Sequence, residues 1–87
     1  MDCESELKKE TGKWTRKIGK EIKKVRLLDP NKKDLLENIH AYVKDSKHFL
    51  EKGDPVRSFE AIVWAWAWLQ ILKELGVLAG EESYFGQ

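Results

Sequence analysis

The chain has 87 residues, 36% of them charged, with 16 Lys/Arg against 15 Asp/Glu, a net charge of +1 and a mean hydropathy of −0.58. That length makes one domain with a small core, and a helix-friendly composition with only six glycines and two prolines argues against disorder. The lone cysteine, Cys3, excludes an internal disulfide and fits a reducing compartment. The chain opens with no apolar signal segment, and its longest apolar run, of nine residues, is far short of the ~20 a membrane span needs, so a soluble cytoplasmic protein is expected.

The first predicted helix covers about residues 5–28. At 100° per residue, Leu7, Thr11, Trp14, Ile18, Ile22 and Val25 fall within an arc of roughly 80°. Lys9, Lys13, Arg16, Lys17, Lys20, Lys23 and Lys24 fall on the opposite face. Gly12 and Gly19 share one flank, seven residues apart. Each costs about 1 kcal/mol of helix propensity against alanine. They permit a close backbone approach, or they mark a weak helix that leans on its neighbours. Residues 1–33 carry a net charge of +5 and residues 34–87 a net of −4. Part of that asymmetry is complementarity between helices, and part is available to an acidic partner.

Asp29-Pro30 reads as an N-cap followed by proline at the first helical position, starting a second helix over about 30–52. Leu35, Leu36, Ile39, Tyr42, Val43, Phe49 and Leu50 line one face, with Ser46 among them. Glu37, Lys44, Asp45 and His48 occupy the other face. Gly53-Asp54-Pro55 stops this helix and caps a third over about 55–75, which Gly76 ends.

The third helix holds the run Ala61-Ile62-Val63-Trp64-Ala65-Trp66-Ala67-Trp68-Leu69. Alternate tryptophans suit one face of a strand. The residues between them, however, are apolar, and the segment runs some twenty residues from cap to glycine stop, which suits a helix. Phe59, Ile62, Trp66 and Leu69 make one stripe. Trp64, Trp68, Ile71 and Leu75 make a second, and Ala61, Ala65 and Leu72 bridge them. The apolar arc of about 240° exceeds what two neighbouring helices cover. The excess stripe is either core beneath the C-terminal tail, with Tyr84 and Phe85 folded over it, or an intermolecular contact. Tryptophan is enriched at the centres of such contacts.

The stretch Ala41-Tyr42-Val43-Lys44-Asp45-Ser46-Lys47-His48-Phe49-Leu50-Glu51-Lys52-Gly53-Asp54, with Phe59-Glu60-Ala61 and the tryptophan run through Leu75-Gly76-Val77-Leu78, resembles an archaeal family catalogued as domain of unknown function 357. The likeness is specific across the second and third helices and looser across the first. It implies an archaeal source and a small helical bundle, and it carries no activity and no functional residues. The second and third helices are also similar to one tetratricopeptide unit, but stacking needs about three or more repeats. The outline is similar to helical toxin nucleases with Arg-x-x-x-x-His, yet no arginine here precedes a histidine at that spacing.

Candidate chemistry is sparse. His40 and His48 are the two histidines, and with Asp45 they raise a metal site. Eight residues apart, they are too far along a helix for joint ligation, so they read as surface histidines. Glu81-Glu82 and the Asp34/Glu37 pair sit by no expected pocket, and no phosphate loop or nucleophile–base set occurs. No enzyme, cofactor, metal or small-molecule substrate is expected.

The expectation is therefore an all-α, up-down-up three-helix bundle over residues 1–78, spectrin-like or albumin-binding-domain-like, with a tail at 79–87. The expected function is a non-enzymatic protein–protein or self-association module. It uses Trp64, Trp68, Ile71, Leu75, Tyr84 and Phe85, with Val77 and Leu78 beside them, and its partner is another protein or a second copy of the chain, as in a homodimer. The alternative is a nucleic-acid or ribonucleoprotein accessory using Lys9, Lys13, Arg16, Lys17, Lys20, Lys23 and Lys24. The bland reading of that face is an ordinary solvated helix surface.

Overall fold

The computed structural model describes residues 3–80 and contains three helices in the expected order. These are α1 (Cys3–Lys24), α2 (Lys33–Glu51) and α3 (Pro55–Glu74). Connections of a few residues make neighbours antiparallel, giving the up-down-up bundle. The tryptophan run is helical throughout.

The expected caps form. The Asp54 carboxylate accepts from the Arg57 N–H at 3.1 Å and starts α3, with Pro55 at the first position. Gly53 and Gly76 have φ of +80° and +76°, the left-handed conformation that ends a helix and that glycine adopts without a Cβ clash. Asp29 caps through the Asn31 N–H at 3.0 Å, but what it starts is one 3-10 turn, Pro30–Lys32, ahead of α2.

The end of α1 differs from expectation. The helix stops at Lys24 rather than near 28, and the chain then runs extended as β1 (Arg26–Leu27). β1 pairs antiparallel with β2 (Leu78–Ala79), Arg26 opposite Ala79 and Leu27 opposite Leu78. Leu28 N–H extends the ladder to the Val77 carbonyl at 2.8 Å. Two causes act together. Pro30 disfavours helix at the residue before it, and the exit of α3 offers backbone partners that satisfy the segment's N–H and C=O groups. This small ribbon ties the ends of α1 and α3 together and spans the position at which the tail was placed. Val77 and Leu78, expected beside the interaction face, are buried in the bundle instead, 7% and 2% exposed.

The core sits where α3 faces both other helices. Ile18 from α1, Ile39 and Val43 from α2, and Ile62, Ala65, Leu69 and Leu72 from α3 form it, closed at the ribbon end by Val77 and Leu78. Ala65, expected only to bridge two stripes, belongs to that cluster, and Ala61 is buried at its edge. α2 packs most extensively on α3. At their crossing Ser46 and Ser58 are fully buried. Ser46 Oγ donates to the Ser58 carbonyl at 2.9 Å and Ser58 Oγ donates to the Ser46 carbonyl at 2.6 Å. Thr15 Oγ1, 3.4 Å from Ser46 Oγ, donates to the Thr11 carbonyl at 2.7 Å, and Thr11 Oγ1 donates to the Leu7 carbonyl at 2.7 Å. Each buried hydroxyl of α1 thus finds an acceptor one turn back, which is how threonine enters a helix face without an unpaired polar group.

The charge asymmetry is partly internal. Lys73 of α3 meets Glu21 of α1 at 2.8 Å, both largely shielded from solvent. The two glycines of α1 do not mark a close backbone approach. A Cβ at Gly19 would meet nothing within 4 Å, and one at Gly12 would meet only the Arg16 guanidinium at 3.4 Å. Gly19→Ala is therefore expected to stabilise the bundle by about 0.5–1 kcal/mol, through helix propensity and a less flexible unfolded chain. Thermal unfolding followed by circular dichroism checks it, and a lower midpoint would contradict it.

Candidate functional site

The second stripe of α3 is largely uncovered among the described residues. Trp64 is 56% exposed, Ile71 44% and Leu75 70%, while Trp68 is half-buried and packs against the core. The reason is the angular excess read from the sequence. α3 turns its alanine side to α1 and α2, so residues near 160–220° around the helix, counted from Pro55, face outward. The spacing 64, 68, 71, 75 is 4-3-4, a seam about 17 Å long at 1.5 Å per residue. Tyr84 and Phe85 lie outside the described residues.

Beside Trp64 the structure adds residues that the sequence reading did not assign to the site. Tyr42 and Phe49 of α2, with Arg57, Glu60 and Trp64 of α3, line a groove of about 370 Å³ that continues the seam towards α2. The Arg57 guanidinium stands 6.0 Å from the Phe49 ring. Periodicity had assigned Tyr42 and Phe49 to the core. They flank it, half-buried, because α3 crosses α2 at its small Ser46/Ser58 contact and leaves the aromatic edges at the rim.

The first stripe is divided. Ile62 and Leu69 are fully buried, whereas Phe59 and Trp66 sit half-buried at the α1–α3 boundary. Trp14 and Trp66 meet edge to face, centroids 5.7 Å apart, and Trp66 Nε1 donates to the Trp14 carbonyl at 3.3 Å. With Phe59, Ile62 and Val63 they line an apolar hollow of about 220 Å³.

All seven candidate cations of α1, Lys9, Lys13, Arg16, Lys17, Lys20, Lys23 and Lys24, are exposed. Lys17 Nζ lies 5.0 Å from the Trp14 ring centroid. His48 rests edge-on against Phe49 at 5.8 Å, His40 is exposed, and no group of three His, Cys, Asp or Glu able to hold a metal occurs among the described residues. Cys3 is exposed. No helix among the described residues is long and apolar enough to cross a membrane.

Comparison with known proteins agrees with the family resemblance in the sequence. The crystal structure of protein AF1782 from Archaeoglobus fulgidus, which carries the DUF357 family model, matches with a TM-score of 0.83 and 47% identity. The match covers 91% of this chain and 99% of that one. No curated protein matches. The model of the family described as "Protein of unknown function (DUF357)" matches residues 13–78, from the middle of α1 to the first residue of β2. A bundle of this fold, matched by that model over most of its length, belongs to the DUF357 family.

Proposed function

We propose that the chain is a non-catalytic interaction module that pairs with a second copy of itself through the α3 seam Trp64, Trp68, Ile71 and Leu75. The observation that supports this is an apolar face of α3, flanking the face that builds the core, that is left uncovered among the described residues. An exposed tryptophan with aliphatic neighbours at coiled-coil spacing is costly in water and productive in an interface.

The seam favours a twofold partner because its 4-3-4 spacing reads the same in both directions. When two copies lie antiparallel, Trp64 meets the other copy's Leu75 and Trp68 meets its Ile71. Each indole then faces an aliphatic side chain, and no tryptophan is forced against its own image. That is the self-complementarity an isologous interface requires. Tyr42 and Phe49 add aromatic area beside Trp64, in a groove that Asp45, Arg57 and Glu60 rim with charge.

Light scattering at low and at high salt tests the reading. A mass near twice the 10.2 kDa of the chain is expected in both, because apolar burial is not screened. Trp64→Lys should yield a monomer with unchanged helix content, since more than half of that side chain lies outside the fold. Trp68→Lys is less informative, because Trp68 also packs against the core. A wild-type monomer in both salts, or a Trp64→Lys protein that still pairs, would refute self-association through this face.

A further inference from the structure

A different surface, independent of the α3 seam, carries a ligand-class inference. The groove between α1 and α2 is lined by Thr15, Arg16, Gly19, Lys20, Lys23 and Lys47 and has a volume of about 300 Å³. Four of those six residues are cationic and none is a carboxylate. Arg16, Lys20 and Lys23 stand at i, i+4 and i+7 on one side of α1, and folding brings Lys47 to them from α2.

Two observations set this groove apart from an ordinary solvated helix face. First, among the described residues no carboxylate pairs with any of the four, whereas Lys73 is bridged to Glu21 and Arg57 to Asp54. Folding therefore gathers like charges around one concavity without neutralising them. Second, the concavity is open at Gly19. Gly19 lies in the groove lining with nothing within 4 Å of where its Cβ would stand, so packing does not demand it.

The row also extends. Lys9 and Lys13 continue the phase of Arg16, Lys20 and Lys23, giving five cations over about 21 Å of helix. That length exceeds a single phosphate and suits a chain of them. No aromatic side chain lines the groove, so nothing there stacks on bases. We infer that the α1–α2 groove binds the phosphodiester backbone of a nucleic acid, without regard to sequence, through Arg16, Lys20, Lys23 and Lys47.

The test uses fluorescence anisotropy with a labelled random-sequence DNA duplex and with its separate single strand. Binding to at least one is expected at low salt, with log affinity falling linearly against log salt at a slope of about −3 to −4, as four phosphate contacts require. Lys47→Glu should weaken binding about tenfold and lower the slope by about one. Lys44→Glu makes the same charge change on the outer face of α2 and should alter affinity by less than about twofold. Circular dichroism confirms that both variants fold. No binding to either probe at low salt, salt-independent binding, or equal losses from the two variants would overturn the inference. The last result would show attraction to net charge and not to the groove.

Discussion

Leu69→Ala is expected to cost about 3 kcal/mol of stability and to lower the thermal midpoint by roughly 12–24 °C. Leu69 is fully buried in α3, in a core cluster with Ile18, Ile39, Ile62 and Leu72, so it lies where all three helices meet. Truncation removes the transfer free energy of three carbons and leaves a hollow that rigid helices fill only partly. A bundle of this size has a thin margin, because small domains bury a smaller share of their unfolded surface. The loss is therefore a large fraction of the total, commonly 5–15 kcal/mol. Val56→Ala on the same helix is the comparison. Val56 is 60% exposed, and its replacement should change stability by less than about 0.5 kcal/mol. Chemical denaturation of both variants measures the contrast, and equal effects would mean that the described core is wrong.

The second large effect is expected at Ser58. Ser58→Leu should destabilise by about 3 kcal/mol, whereas Ser58→Ala should cost about 1 kcal/mol. The two substitutions separate two roles of one residue. The Ser58 hydroxyl donates to the Ser46 carbonyl, and the two Oγ atoms lie 3.0 Å apart with no solvent access. Alanine removes that hydrogen bond but keeps the close crossing of α2 and α3. Leucine must place three further carbons between helices whose separation the paired serines set, and it forces a backbone shift or an off-rotamer side chain. Urea unfolding of the pair decides it. Equal costs would mean that the hydrogen bond, not the close crossing, is what matters at this position.

The candidate site was half legible in the sequence. The seam residues Trp64, Ile71 and Leu75 follow from counting angles around α3, because an apolar arc wider than two neighbours cover must leave something out. The sequence reading assigned the second stripe to that excess, but angle counting gives no physical reason for the choice, since both stripes are apolar and both carry tryptophan. The alanines decided it. Ala61 and Ala65 are buried on the side of α3 that meets the core, so Trp64, about 100° round the helix from Ala65, is left exposed and Trp68 lies at the boundary. The cations of α1 were equally visible from periodicity. Lys47 was not associated with them, because the contact between faces of α1 and α2 depends on how the helices pack and not on the pattern along either one.

The sequence by itself determined the number of helices, their punctuation and the up-down-up order. Caps at Asp29 and Asp54, the two prolines and the stops at Gly53 and Gly76 are local chemistry acting within a few residues. Only the tertiary structure decided the extended exit of α1. Val25, Leu27 and their neighbours satisfy a helical pattern as well as an alternating one. The choice fell to the partner strand some fifty residues away, which supplies the hydrogen bonds and lets Val77 and Leu78 close the core. Local propensity cannot register that partner, because a β-ladder is a property of two segments and a helix of one.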